Sequence, residues 1–306
     1  MERVKVERDL QVSELCCNFV AGMQRMEKIF TSMIKRNYYL LILALIAVCN
    51  YGYAASHRVA SYNIRITTAA DSLERSWSQR KTIIAAMLKE DIRPDVIGLQ
   101  EVSENQEKDL AELIGDTYSI CSCNYSAGPI VMYRTAKYDC IDHGIFYLSP
   151  TTNQAVKGWD ALYVRMSVWV KLQDKKTHET FLFCSTHLDL TSLSITEGAR
   201  VNVEQLARIA GESACVLVGD MNSETSDCAH DIYRSYFQDA RLTCKGKVKD
   251  SDNTFFEGMN PDAKGKRIDY IYVHDARVRH YRTIKNTYHR QWLPSDHIPV
   301  VCEVKL

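Results

Sequence analysis

Carboxylate, amide and imidazole side chains recur in this sequence at the ends of short apolar runs. Carboxylate and amide oxygens bind hard divalent cations, and carboxylates and imidazoles move protons, so this combination suits metal-assisted hydrolysis. Side chains at strand ends can converge at one rim of a sheet, and we therefore expect a single active site. The residues concerned are Asn63, Glu101, His187, Asp220, Asn222, Asp269, Asp296 and His297.

Each of these residues also has a structural explanation when it is taken alone. An Asp or Asn after a strand is commonly a turn residue or a helix cap, and a lone His in an apolar stretch is commonly structural. Five such motifs in one chain, all at predicted strand ends, favour the active-site interpretation. The chain has no G-x-x-x-x-G-K-[ST] phosphate loop and no G-x-S-x-G nucleophile elbow, so we expect direct attack by water.

The elements that must position these residues alternate apolar runs with helical periodicity from residue 58 onward. We predict helices over residues 77–89, 104–114, 196–212 and 227–236. We predict strands over residues 59–66, 95–100, 130–134, 144–148, 163–172, 180–186, 215–219, 268–273, 278–285 and 298–304. This order indicates an α/β protein with two packed mixed β-sheets flanked by helices.

Six motifs give the chain a resemblance to a known family of metal-dependent enzymes. They occur in the family's order at residues 61–65 (SYNIR), 99–102 (LQEV), 186–188 (THL), 219–222 (GDMN), 267–270 (RIDY) and 295–297 (SDH). On these motifs the chain resembles the endonuclease/exonuclease/phosphatase superfamily over essentially all of residues 57–306, as an exported, bacterial-type member. The resemblance implies a DNase I-like fold, a four-layer α/β sandwich, and divalent-metal-dependent phosphoester hydrolysis.

The resemblance also implies roles for the residues at the matching positions. It makes Glu101 the principal ligand of Mg²⁺ or Mn²⁺, with help from Asn63 and Asp296. It makes Asp220 the group that orients or deprotonates the attacking water, and it places Asn222 on a phosphoryl oxygen. Such a set offsets phosphoryl charge and aligns the nucleophile, which phosphoester hydrolysis requires.

Two histidines are expected to contact the phosphate. The resemblance places His297 against it, with the imidazole held by Asp269, a carboxylate that would raise the pKa of the ring and fix its tautomer. His187 matches a second phosphate-contacting histidine. Asp189 either orients His187 or supports a loop, and the sequence leaves both roles open.

Three further side chains are candidate substrate contacts. Tyr133 and Arg134 end a predicted strand, as in relatives that present a side chain to the substrate there, and Arg165 is similarly placed. Both arginines suit phosphate binding, although a structural ion pair explains either of them equally well.

The first 55 residues have a different character from the rest of the chain. Lys35 and Arg36 precede the uncharged run 38–48 (YYLLILALIAV), and small residues follow at Ala54 and Ala55. This pattern predicts an N-terminal extension with a signal peptide over residues 1–55, export from the cytoplasm, and a catalytic domain over residues 56–306. A retained membrane anchor and a lipid attached to Cys49 are the alternatives.

Charge and cysteine usage limit the choice of substrate and partners. The first 54 residues carry seven basic and five acidic residues, which leaves 31 Lys and Arg against 33 Asp and Glu, a formal net charge of −2. This balance disfavours non-specific binding of long nucleic acid. A phosphodiesterase or phosphatase is therefore the first prediction, and an extracellular nuclease is the alternative. A phospholipid hydrolase and a non-catalytic binding protein rank lower, no protein partner is predicted, and a monomer is expected. One disulfide among Cys121, Cys123, Cys140, Cys228 and Cys244 stays open.

Overall fold

The computed structural model describes residues 22–23, 25–28, 30–39, 55–246, 248 and 251–306. The chain divides into two compact units, Met1–Ala54 and Ala55–Leu306. The described residues of the first unit are helical. No helix among the described residues is long and apolar enough to cross a membrane. Residues 40–48 of the predicted hydrophobic segment lie outside the described residues, so the signal peptide stays a prediction.

Two six-stranded sheets form the centre of the second unit. The first sheet has the order β13-β14-β1-β2-β4-β3, and the second has the order β5-β6-β7-β8-β12-β9. Among the described residues the strands are β1 Ser56–Asn63, β2 Val96–Val102, β3 Tyr118–Ser122, β4 Gly128–Arg134, β5 Tyr138–Tyr147, β6 Met166–Asp174, β7 Thr180–His187, β8 Ala214–Asp220, β9 Gln238–Asp239, β10 Phe255–Phe256, β11 Gly265–Lys266, β12 Asp269–His274, β13 Arg277–Thr283 and β14 Val300–Lys305. β10 and β11 form a separate two-stranded ribbon.

The helices lie close to their predicted positions. They are α1 Trp77–Ala86, which continues as a π-helical turn over Met87–Ile92, α2 Glu104–Ile114, α3 Ser192–Ala210, α4 Cys228–Arg234 and α5 Ala240–Thr243, and 3-10 turns lie at Leu73–Arg75 and Glu257–Met259. α2 has the predicted bounds because Gln106 Oε1 accepts from the Ser103 backbone N–H at 3.0 Å, the return contact of a capping box. β1 ends at Asn63, before residue 66, because Asn63 Oδ1 accepts from the backbone N–H of Arg65, whose φ is 58°.

Three apolar clusters account for the layers. One lies between the sheets and includes Val59, Val131 and Phe183. A second packs α1 and α2 on the outer face of the first sheet, and a third packs α3 and α4 on the outer face of the second. The four-layer α/β sandwich predicted from the sequence is confirmed. The eight cysteines after residue 55 are all unpaired, so no disulfide among the described residues holds the layers together.

Candidate active site

The predicted site residues lie at one rim of the sandwich because of strand direction. β1 and β2 are parallel and end at Asn63 and beside Glu101, while the parallel pair β7 and β8 ends at His187 and Asp220. β12 runs antiparallel to β8 and therefore starts at this rim, with Asp269 paired to Asp220. The loop that carries His297 precedes β14, which is antiparallel to β1 and also starts here.

Close approach of the two sheets brings the strand ends together. Gly98 lies on β2 where the sheets face each other, and a Cβ there would be 2.5 Å from Val218 Cγ2. Beside it, Gln100 Nε2 donates to Ser185 Oγ at 3.1 Å. Asn63 Nδ2 crosses the gap as well and donates to Asp220 Oδ2 at 3.0 Å. The absence of a side chain at residue 98 thus sets the spacing of the site.

A local irregularity in β2 turns Glu101 toward the rim. The β2–β4 register shifts between Leu99 and Val102, and Glu101 has a φ of 60°, a left-handed conformation that costs a non-glycine residue energy. Its two carboxylate oxygens accept from Asn63 Nδ2 at 3.1 Å and from the backbone N–H of Ile66 at 2.9 Å. These contacts hold the carboxylate at the pocket floor in spite of the strain.

Asp220 is the centre of the arrangement. It is 1% exposed, and Oδ1 accepts from the backbone N–H of Asn222 at 2.9 Å. Oδ2 lies 3.3 Å from His187 Nε2 and 3.6 Å from His297 Nε2. Burial raises the pKa of this carboxyl above its ordinary value, while the charge of His297 opposes the rise. A carboxylate of raised basicity beside two imidazoles is suited to accept a proton from water.

His297 is held as the cation of the site. Its Nδ1 lies 2.8 Å from Asp269 Oδ2, and the Asp269 carboxylate is fully buried. Burial opposes charge on the ring, but Asp269 and Asp220 outweigh it and raise the pKa of His297. The Phe255 ring packs edge-on against the imidazole at 5.1 Å. Nε2 of a charged ring therefore points toward the pocket as a hydrogen-bond donor.

His187 is the neutral counterpart of His297. Burial lowers its pKa well below the ordinary value, and the charges of Arg165 and His297 lower it further. Its Nε2 lies 3.1 Å from Asn222 Nδ2, which also donates to the Leu188 carbonyl at 3.0 Å. The Asn222 amide nitrogen thus positions His187, and its predicted contact with a phosphoryl oxygen stays a prediction.

The oxygen-rich floor fits a hard divalent cation. Ligand atoms of Glu101, His187 and Asp220 lie within 4.8 Å of one another, and Asn63 contacts both carboxylates. Asp296, predicted as a third ligand, lines the same pocket, but its Oδ2 pairs with Arg65 Nη1 at 2.5 Å. The structure therefore groups Asp220, and not Asp296, with Glu101.

Asp189 supports a loop and does not touch His187. Its carboxylate accepts from the backbone N–H groups of Leu162 and Tyr163 at 3.0 and 3.1 Å. Arg165 Nε also lies 3.4 Å from it. Of the two roles that the sequence left open, the structure thus shows loop support. Nδ1 of His187 has no hydrogen-bond partner among the described residues.

The structure separates the three predicted substrate contacts. Arg165 lines the pocket directly before β6, so its contact with a substrate stays a prediction. Tyr133 instead pairs with Val96 at the start of β2, at the opposite rim, because β4 runs antiparallel to β2. Arg134 lies there too, with Nε 3.1 Å from the Pro94 carbonyl. The prediction that Tyr133 and Arg134 contact the substrate is corrected: neither lies at this site.

The site opens into a cavity of about 930 Å³ whose outer wall the sequence analysis missed. The missed lining residues are Ile66, Tyr125, Ser126, Ala127, Lys157, Leu162, Tyr163, Val164, Leu190, Phe255, Lys266 and Ile268. Most lie in loops without periodicity, where only tertiary contacts fix the side chains.

Arg80 was also missed, and it ties together two loops that carry site residues. It is fully buried, and its Nη1 donates to the carbonyls of Ile64 and Pro294 at 2.6 and 3.2 Å. Nη2 donates to the Arg65 carbonyl at 3.1 Å. A sequence signal for this role does not exist, because an arginine on a helix is commonly solvated.

Comparison with known proteins identifies the family to which this fold belongs. The profile described as the Endonuclease/Exonuclease/phosphatase family matches residues 60–297, a span that contains every residue of the cluster. The chain belongs to this family. The match confirms the family predicted from the six sequence motifs.

Solved structures of this family are similar over nearly their whole length. An endonuclease/exonuclease/phosphatase from Bacteroides vulgatus has a TM-score of 0.76 at 28% identity, covering 82% of this chain and 99% of its own. A family protein from Bacteroides thetaiotaomicron has 0.73 at 30%, covering 82% and 97%. A mannosyl-6-phosphatase from the same organism has 0.74 at 28%, covering 82% and 100%. A search of curated protein sequences gave no match.

Proposed function

We propose that this protein is a divalent-metal-dependent phosphoester hydrolase that acts by direct attack of water. The observation that carries the proposal is the position of Asp220, a buried carboxylate 3.3 Å from the neutral His187 and 3.6 Å from the charged His297. A base and a cationic donor side by side provide for proton removal and for charge stabilisation in one step.

The chain's own residues have separable tasks in this mechanism. Asp220 orients the water and accepts its proton, and Asn63 and Asn222 fix the orientation of that carboxylate through hydrogen bonds of 3.0 and 2.9 Å. His297 donates from Nε2 to a phosphoryl oxygen while Asp269 stabilises its charge. Arg165 adds a guanidinium at the pocket wall that suits a second phosphoryl oxygen.

Glu101 and Asn63 are the residues that would hold Mg²⁺, with Mn²⁺ as the alternative ion. The Glu101 carboxylate fits a hard cation that keeps several waters, and Asp220 lies close enough to contribute. The Asn63 amide oxygen, which accepts from the Arg65 backbone N–H, would need its second lone pair for the ion. The bound ion would offset the negative charge of the phosphoryl group.

A small phosphoester is a better substrate for this site than long nucleic acid. The cavity of about 930 Å³ is of the size that encloses small ligands, and the charge of the chain after residue 54 is slightly negative. Similarity to a mannosyl-6-phosphatase supports phosphatase activity. The nuclease alternative is tested in the same experiment.

The test is hydrolysis of a substrate panel by the wild type, Asp220→Asn and His297→Ala. The panel contains DNA, RNA, sphingomyelin, inositol and sugar phosphates and bis-p-nitrophenyl phosphate, each with Mg²⁺, Mn²⁺ or EDTA. We expect turnover that EDTA abolishes and that both substitutions reduce at least about 100-fold. The control Asp231→Asn alters an exposed carboxylate on α4, and its turnover should match that of the wild type. Equal turnover in all four proteins contradicts the proposal.

Export through an N-terminal signal peptide is also part of the proposal. It is supported by the basic pair Lys35–Arg36 ahead of the uncharged run 38–48. Mass spectrometry of the protein recovered from a native-like host should give a mature chain that begins near residue 55. Recovery of the intact chain from the cytoplasm contradicts export.

A further inference from the structure

An apolar wall stands beside the reaction centre. Leu162, Tyr163 and Leu190 all line the cavity, and they are 50%, 54% and 55% exposed. Side chains of this kind lose free energy when they stay in contact with water. Three such side chains on the lining of one cavity are suited to bury part of a ligand.

The buried carboxylate of Asp189, the exposed carboxylate of Asp160 and the start of a helix hold this wall in place. Asp189, only 2% exposed, binds the backbone of both Leu162 and Tyr163. Asp160 Oδ1 accepts from Ser194 N and Thr191 Oγ1 at 2.9 and 2.8 Å, which fastens the same loop to the start of α3. The loop therefore keeps its apolar side chains exposed and cannot fold them away without breaking these bonds.

The cavity lining outside the reaction centre has a polar part and an apolar part. The polar part consists of Tyr125, Ser126, Lys157, Arg165 and Lys266, together with the hydroxyl group of Tyr163. Val164 and Ile66 extend the apolar lining between the wall and the floor. Hydroxyl groups of a ligand buried against the apolar part would lose their hydrogen bonds to water without replacement.

We propose that the substrate is a phosphoester of an apolar alcohol, whose hydrocarbon portion lies on Leu162, Tyr163 and Leu190 while the phosphoryl group lies at Asp220 and His297. This inference rests on the proposed function and names the substrate class for the same site. The wall binds the leaving group, and the reaction centre binds the phosphoryl group.

The test uses n-alkylphosphonates, which cannot be hydrolysed, from methyl to octyl. Their dissociation constants are measured by calorimetry with Mg²⁺ present, for the wild type, Leu162→Ser, Leu190→Ser and the double variant. We expect affinity to rise about two- to fourfold per methylene in the wild type, because each methylene leaves water. The slope should fall in each single variant and nearly vanish in the double variant. Leu73→Ser is the matched control, since Leu73 is 89% exposed and does not line the cavity.

Two results overturn the inference: affinity independent of chain length, or a wild-type slope retained in the double variant. Hydrolysis of the n-alkyl phosphates, measured in parallel, separates this inference from the proposed function. Turnover without any dependence on chain length contradicts the apolar substrate and leaves the hydrolase in place. Chain-length-dependent binding without turnover of any ester supports the apolar wall and contradicts the hydrolase. All variants alter exposed side chains, so we expect all of them to fold, and thermal unfolding checks this.

Discussion

Asp269 contacts the imidazole of His297 and acts on the reaction through that ring. Its Oδ2 is 2.8 Å from His297 Nδ1, and it raises the pKa of that imidazole. Because the raised pKa keeps the ring charged through neutral pH, removing the carboxylate lowers the pKa and moves loss of the charged form to lower pH. We expect Asp269→Asn to reduce kcat at least about 100-fold at neutral pH and to shift the alkaline limb of the pH profile downward.

The profile is measured between pH 5.5 and 10 for the wild type and Asp269→Asn. The variant keeps the size of the side chain and its place in the pairing of Asp269 with Asp220. A lower kcat with an unmoved alkaline limb would mean that Asp269 acts only on the fold.

Arg134 and Arg165 were both predicted to contact the substrate, but they lie at opposite rims of the structure. Substitutions of these two residues therefore form a matched pair of variants. Arg165 lines the cavity, while Arg134 contacts Pro94 and Asp95 at the opposite rim. Arg165→Gln should raise KM about tenfold or more, because a charged hydrogen bond to the phosphoryl group is lost. Arg134→Gln should leave kcat and KM within about twofold. Steady-state kinetics on one phosphoester decides, and the reverse ranking contradicts the assignment.

The sequence predicts the residues of the site better than it predicts their partners. Glu101, His187 and Asp220 each lie at the end of an apolar run that forms a strand. Their positions at these strand ends therefore predict that the three side chains converge at one rim. The same rule fails for Tyr133, because whether a strand ends at one rim or the other depends on its direction. Pairings such as Arg65 with Asp296, 231 positions apart, have no local signal.

At the scale of elements, Gly98 sets the distance between β2 and β8. A methyl group on it would meet Val218 Cγ2 at 2.5 Å and Ser185 Oγ at 2.7 Å, so the sheets must move apart to admit it. We expect Gly98→Ala to lower the free energy of unfolding by about 1–3 kcal/mol through overpacking. The fractional loss of activity should exceed the fractional loss of the free energy of unfolding, because Glu101 and Asp220 lie on the two strands that move apart.

Denaturant unfolding and kinetics on the same samples test this prediction. Gly211→Ala is unsuitable as a control, because its φ of 57° adds strain, whereas Gly22 lies outside the second unit. Ala111→Ser on the exposed side of α2 serves instead, and it should leave both quantities near the wild type. A fully stable and active Gly98→Ala would show that the sheets are not in tight contact there.

Elements with strong local signals were predicted well, including most of the strands, whereas β3 and the two-residue strands β9, β10 and β11 were missed. α2 has an amphipathic pattern and a capping residue, and its bounds match the prediction. β3, Tyr118–Ser122, was missed because its half-buried edge position imposes no clear alternation of apolar and polar residues. The apolar loop at residues 158–165 was missed too, since Asp189 and Asp160 hold it through contacts that are distant in sequence.

At the scale of the whole molecule, a buried histidine couples stability to pH. His57 is fully buried between Tyr138 and Phe181, and burial, helped by Lys137, lowers its pKa to about 4. At pH values between about 4 and the ordinary pKa near 6.5, the His57 imidazole is protonated in the unfolded chain and neutral in the folded chain. Stability is therefore complete above about pH 6.5 and is lost as the pH falls toward 4, by up to about 3 kcal/mol.

The variant His57→Gln removes this titration while an amide can still bond to the Tyr138 hydroxyl, which lies 2.7 Å from His57 Nδ1. Its free energy of unfolding should depend less steeply on pH between 4 and 6.5 than that of the wild type. His280→Gln, at an exposed histidine, should retain the wild-type slope. Identical slopes in all three proteins contradict the account of His57.

The architecture as a whole was predictable because the order of runs and helices admits few arrangements. Each apolar face of a sheet must be covered. Two mixed sheets that pack against each other, with helices on their outer faces, cover the faces of both sheets. The cavity wall could not be predicted from composition, because it forms only where the loops after β5 and β7 meet. The architecture of the second unit thus follows from local patterns, whereas its cavity wall follows from long-range contacts.

The Mg²⁺ dependence of phosphoester hydrolysis in the wild type, Glu101→Gln and Glu104→Gln tests whether the reaction centre at this rim depends on a metal. Glu101 lies at the cavity floor, whereas Glu104 is three positions away, exposed and paired with Lys108. We predict saturable activation by Mg²⁺ in the wild type and in Glu104→Gln, and a loss of at least about 100-fold in Glu101→Gln with weaker Mg²⁺ activation. Turnover that is independent of metal, or a Glu101→Gln variant that matches the wild type, would contradict a metal-dependent reaction centre at this rim.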